Sequence, residues 1–175
     1  MSEELVNKIA QSGLITIKLE EWLPEVETAY FDIKEYLFQG LILKEKDFRA
    51  ALKEHDWAQY QDKVVLIYCS ADAIVPVWAN MLIAAYAAPF AAEVLEGKEE
   101  DYYRQALDRE IAALDAGKYA GERLVIKGCS DRPVPLSAYV ALTSKLQPHA
   151  KSIMFGEPCS TVPIYKQKVQ RSRSK

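Results

Sequence analysis

The stretch that decides the fold is Val64-Val-Leu-Ile-Tyr-Cys-Ser-Ala-Asp-Ala-Ile-Val-Pro76, because it returns as Arg123-Leu-Val-Ile-Lys-Gly-Cys-Ser-Asp-Arg-Pro-Val-Pro135. Each version starts as an apolar, β-rich run, passes through Cys-Ser and an Asp, and reaches Val-Pro. The similarity extends outward to residues 56–97 and 115–156 at a shift of 59. Asp56 and Asp115, Tyr60 and Tyr119, Pro89 and Pro148, and Gly97 and Gly156 are among the identical pairs. Gly128, one extra residue before the second cysteine, brings Cys69-Ser70 onto Cys129-Ser130. Unrelated segments of this length share about two or three identities from average residue usage, so this is an internal repeat rather than a shared composition.

Each copy reads as a strand (64–68; 123–127), a short loop, a helix (76–88; 135–147) stopped by proline, and a second strand (92–96; 151–155) closing at glycine. Strand, helix, strand makes a βαβ unit, which requires parallel strands and a right-handed crossover. Ahead of each unit lies a further helical stretch, 46–55 and 99–114, the second with Tyr103, Leu107, Ile111 and Leu114 spaced for one face. The first 45 residues do not show the repeat. In them 14–19 and 28–33 read as two more strands that extend the sheet at an edge, with Trp22-Leu-Pro24 as the turn between them. The expected fold is a single α/β domain over residues 1–165, with a mostly parallel sheet built from two βαβ repeats plus an N-terminal β-containing extension. A basic tail over 166–175, polar throughout, is expected to be disordered.

Charge divides along the same line. The 175 residues carry 22 Lys and Arg against 25 Asp and Glu. Five of those bases, Lys166, Lys168, Arg171, Arg173 and Lys175, lie in the last ten residues, leaving 17 against 25, or −8, for the body. An acidic body argues against nucleic acid as a partner. Residues 73–92 carry no charge, about the span of a bilayer helix, but Pro76 and Pro89 cut it to 13 residues or about 20 Å. That is short of the roughly 30 Å hydrocarbon core. The segment is expected to be a helix buried all round, with Pro76 as its first residue. The start shows no secretory signal, and an odd count of three cysteines fits a reducing cytoplasm.

All three cysteines occur in one phrase, Cys-Ser followed by Val-Pro: Cys69 to Pro76, Cys129 to Pro135, and Cys159 to Pro163. Cysteines that follow parallel strands project at the carboxyl edge, where α/β proteins place ligands. Three thiolates suit a zinc ion or an iron–sulfur cluster, with His55, Asp72 or Asp131 as a fourth donor and Ser70, Ser130 and Ser160 hydrogen-bonding to sulfur. Two other readings stand beside this one. The thiols can be small core residues, or one can be a reactive redox or catalytic cysteine activated in a loop that opens a helix. Asp72 and Asp131 also suit helix caps, and the serines can cap likewise. His149 reads as a surface residue; Trp57, Tyr60 and Trp78 read as core; Gly128 and Gly156 read as close approaches or positive φ. No phosphate loop, dinucleotide fingerprint, HExxH or nucleophile elbow occurs.

The phrases Gly40-Leu-Ile-Leu-Lys-Glu-Lys-Asp-Phe-Arg49, Cys69-Ser-Ala-Asp-Ala-Ile-Val-Pro76 and Ser152-Ile-Met-Phe-Gly-Glu-Pro-Cys-Ser-Thr-Val-Pro163 resemble the bacterial family called domain of unknown function 2480, from about Asn7 to Tyr165. The resemblance implies no reaction. It does imply genes that lie near iron–sulfur assembly genes, an association that favours a metal or cluster on Cys69, Cys129 and Cys159. The alternatives are a cofactor-free interaction module or homodimeric structural protein, and a thiol-dependent redox enzyme.

Overall fold

The structure is a computed structural model describing residues 13–128, 132–157 and 160–168. In chain order its elements begin with β1 (Leu14–Ile17), β2 (Thr28–Asp32), α1 (Glu45–Glu54), β3 (Val64–Tyr68) and α2 (Val77–Ala87). They continue with β4 (Glu93–Glu96), α3 (Glu99–Ala113), β5 (Arg123–Ile126), α4 (Leu136–Leu146), β6 (Ser152–Glu157) and β7 (Ser160–Lys166). The α/β class, the parallel strands and the two βαβ repeats are as the sequence reads. The strands are shared between two sheets, β2-β3-β4 and β1-β5-β6-β7, parallel throughout except for β7. The chain divides into two compact units, Pro24–Tyr102 and the residues up to Leu23 joined with those from Tyr103 onward.

The shift of 59 holds from strand ends down to single hydrogen bonds. Helices α2 and α4 occupy matched residues, as do the 3-10 turns Trp57–Tyr60 and Ala116–Tyr119. Asp56 and Asp115 cap those turns, accepting from Ala58 N at 3.1 Å and Gly117 N at 3.0 Å. Asp62 N donates to Phe90 O at 3.0 Å and Gly121 N to His149 O at 2.9 Å, both residues standing at positive φ. Gly97 and Gly156 share a φ of 122°, where a side chain is strained.

Packing repeats too. In one unit Phe48 and Leu52 of α1 and Ala79, Ile83 and Ala87 of α2 are buried. In the other, Leu107, Ile111, Ala138, Leu142 and Leu146 are buried at the same places. Helix spacing of three and four residues aims each set at its own sheet, so each unit has its own hydrophobic core.

Within the first 45 residues, 14–22 and 28–36 belong to the duplication. Strand β1 with the turn Leu19–Trp22 matches β2 with the turn Ile33–Tyr36, at a shift of 14. Ile17 and Leu19 are buried like Phe31 and Ile33. Each of these strands is the edge of its own sheet, β1 pairing with β5 (Leu14 opposite Arg123) and β2 with β3 (Thr28 opposite Val64). Trp22-Leu-Pro24 therefore does not join two neighbouring strands; it leads out of one unit into the other. The unit of Pro24–Tyr102 is inserted between β1 and the rest of its sheet.

The uncharged helix is not buried all round. Ala79, Ile83 and Ala87 face the core, but Val77 is 76% and Met81 67% exposed. Absence of charge is not a sufficient sign of burial. Pro76 is its N-cap rather than its first residue, with φ −64° and ψ 141°, and Ala88 ends it before Pro89. No helix among the described residues is long and apolar enough to cross a membrane.

Candidate functional site

Of the cysteines, only Cys69 falls among the described residues; Cys129, Ser130, Asp131 and Cys159 lie outside them, as do tail residues 169–175. Cys69 follows β3, is half-buried against the core of its unit, and its thiol donates to Ala71 O at 3.5 Å. That is the setting of a small apolar residue. Cys129 and Cys159 belong to the other unit, on the chain beyond β5 and β6. Among the described residues no three His, Cys, Asp or Glu side chains gather in a way that could hold a metal ion.

His55 is not placed to complete such a site. Its Nδ1 lies 3.0 Å from Tyr36 Oη and its Nε2 3.1 Å from Tyr60 Oη. The Gln59 side-chain amide, whose Nε2 donates to Asp56 O at 2.7 Å, also reaches His55 Nε2 at 3.2 Å. An amide donor makes that nitrogen an acceptor, so the proton sits on Nδ1 and neither ring nitrogen offers a lone pair to a metal. Phe31 stacks on Tyr36 and on Trp57, with centroids 5.1 and 5.6 Å apart, and His55 packs against this group. Burial holds the His55 pKa below its usual value, and burial pushes Tyr60 up to about 12.

Ser70 serves neither as a cap nor as a partner of sulfur. Its amide donates to Asp32 Oδ1 at 3.0 Å and its hydroxyl to Asp32 Oδ2 at 2.6 Å. Lys34 N also donates to Asp32 Oδ1 at 3.0 Å. Burial works against the Asp32 charge, but hydrogen bonds from Ser70, Lys34 and Tyr68 outweigh it and hold the carboxyl below its ordinary value. Three hydrogen bonds hold the carboxylate, so Asp32 ties the ends of β2 and β3 together and is no free base. Nothing in the sequence marks this bond, which spans 38 residues.

Asp72 is exposed and lies four residues ahead of Pro76, so it does not cap α2. Ser160 opens β7 opposite Glu157. Because β7 is a strand, the third Cys-Ser phrase does not open a helix as the other two do. Trp57 and Tyr60 are buried, Trp78 packs against the core, and His149 is exposed, all as their sequence context implies.

The chemistry-bearing surface lies elsewhere, and it is apolar. Helix α4 leaves Leu136 78% and Val140 61% exposed, one turn apart, while β7 leaves Val162 59% and Ile164 51% exposed. Between helix and hairpin runs a groove of about 330 Å³ lined by Ile126, Tyr139, Val140, Thr143, Ser144, Phe155 and Ile164. No charged side chain lines it. Tyr139 meets Phe155 edge to face at 5.8 Å. Gly128 makes the ring's position possible: a Cβ there would stand 2.6 Å from Phe155 Cζ. β7 sits at the sheet edge, and Pro163 within it lacks the N–H that strand addition needs. The surface therefore offers side chains rather than backbone. The exposed positions match Val77 and Met81 of α2 at the repeat shift, a signal the sequence contains but an even apolar run conceals.

A family model described as "Protein of unknown function (DUF2480)" matches residues 3–167. No curated protein and no solved structure matches the chain.

Proposed function

Because this chain belongs to the DUF2480 family, whose description names no activity, we propose its function from geometry: a cofactor-free interaction module of the cytoplasm that pairs with a second copy of itself. The observation that supports this is the uncharged groove flanked by Leu136, Val140, Phe155 and Ile164. Contiguous apolar surface with a polar rim is the usual mark of an interaction site. A second copy suits it better than an unlike partner, since a two-fold contact sets a patch against itself and this patch buries no unpaired charge when it does so.

Sedimentation equilibrium of the full chain tests the reading. Wild-type protein is expected to dimerise. Val140→Asp is expected to weaken the dimer by about 100-fold or more, because an unpaired carboxylate is then buried in the contact. Met81→Asp on α2 is expected to leave it unchanged. A wild-type chain still monomeric at millimolar concentration, where Kd exceeds about 1 mM, overturns the proposal.

A second reading is favoured by strand register. β5 and β6 are adjacent and parallel, with Ile126 opposite Phe155, so the chain leaves both strands at one edge of one sheet just before Cys129 and Cys159. A zinc ion or iron–sulfur cluster on those two thiolates, completed by other donors and serving cluster assembly, would use that edge. Its test is metal and sulfide analysis of anaerobically purified protein beside a Cys129→Ser/Cys159→Ser variant. Metal content below about a tenth of an equivalent, or equal content in both proteins, counts against it.

A further inference from the structure

We propose that a groove at the opposite end of β5, β6 and β7 binds single-stranded nucleic acid. Register brings its cations together from three places in the chain. Arg123 opens β5 opposite Ser152, and Ser152 lies opposite Lys166 at the end of β7. Gln167 N donates to Lys151 O at 2.9 Å, holding the chain that follows β7 beside Lys151. The result is a groove of about 460 Å³ whose lining includes Arg123, Lys151, Lys166 and Lys168 and no acidic side chain. In a chain with more acids than bases, that is a strong local separation of charge.

Met154, Pro163 and Tyr165 also line it, so apolar side chains stand beside the cations. A nucleotide strand presents both complements: phosphates for the lysines, base faces for the ring and the apolar side chains. A flat lipid surface does not enter a groove, and an acidic peptide brings charge without the base faces that suit the ring. The acidity of the rest of the body repels the same strand, so binding is expected to be salt-sensitive.

The test is fluorescence anisotropy of a labelled oligothymidylate of about 15 nucleotides, at about 50 mM salt and upward. Saturable binding is expected. Lys151→Glu/Lys166→Glu, two exposed positions whose fold is checked by circular dichroism, is expected to weaken it at least about 10-fold. The neutral pair Lys151→Ala/Lys166→Ala is expected to make the plot of log K against log salt shallower by about 1.4, two single-strand phosphate contacts at about 0.7 each. Three results overturn the proposal: no saturable binding at low salt, affinity unchanged in the groove variants but lost on removing residues 169–175, or polyglutamate competing as well as unlabelled oligonucleotide at equal charge.

Discussion

His55 is held as a neutral imidazole between two phenols, and that ties stability to pH. Burial lowers its pKa in the fold, so in acid the unfolded chain takes up the proton first. The contribution is complete above the unfolded value of about 6.5 and is lost as pH falls below it toward the lower folded value. Thermal melts at about pH 7.5 and pH 5.5 are expected to show a clear drop for wild type and a smaller one for His55→Gln. Gly97 makes a second case. At φ 122° a Cβ would come within 2.6 Å of Asp101 Oδ2, the atom that accepts from Lys98 N at 2.9 Å at the start of α3. Gly97→Ala is expected to cost about 1–3 kcal/mol in chemical denaturation, through strain and through the damaged cap. The glycine was legible, since it recurs as Gly156 at the repeat shift. Asp32 was not, because its value lies in what Ser70 and Lys34 donate to it, and no spacing rule links those residues.

Elements were read more securely than their faces. Proline punctuation places α2 and α4, and apolar spacing places α3; these and α1 agree with the sequence reading to within about two residues, the usual uncertainty of helix ends. Periodicity does not show the faces where almost every position is apolar. In α2 no charge marks the outer side, and Ala79, Ile83 and Ala87 are its fully buried positions while Val77 and Met81 stay exposed. The last strand was missed because Pro163 interrupts its alternation, although an edge position tolerates proline. These two errors concealed the apolar face, since that face is the outer side of α4 laid beside β7. One substitution checks the link between the extra glycine and the face. Gly128→Ala must displace the Phe155 ring, so it is expected to weaken self-association while leaving the melting of α1 and β3 nearly unchanged. Loss of all structure instead would show that Gly128 serves folding alone.

The whole molecule is a duplication in which one copy interrupts the other, and that placement is why the first strand of the second copy went unrecognised. Sequence comparison at a single shift cannot see it: β1 and β2 differ by 14 residues, while β3 and β5, α2 and α4, and β4 and β6 start 59 apart. Removing residues 1–23 takes Ile17, Leu19 and Leu23 from the core they share with Leu124 and Leu142. Hydrogen exchange in such a truncated chain is expected to speed up far more in β5 and β6 than in β3. Equal loss of protection in all three strands would mean that the two cores do not open separately.

The interruption also bears on synthesis. Leu14 pairs with Arg123, so a strand made early has its partner made 109 residues later. At about 5–20 residues per second, the apolar segment around Leu14–Ile17 leaves the ribosome roughly 5–20 s before β5 exists to receive it. Meanwhile the whole of Pro24–Tyr102 has been made and can close on itself. The nascent chain thus carries an unpaired, adhesive strand ahead of a finished unit, and its yield in the cell should depend on whatever shields that strand until its place is built.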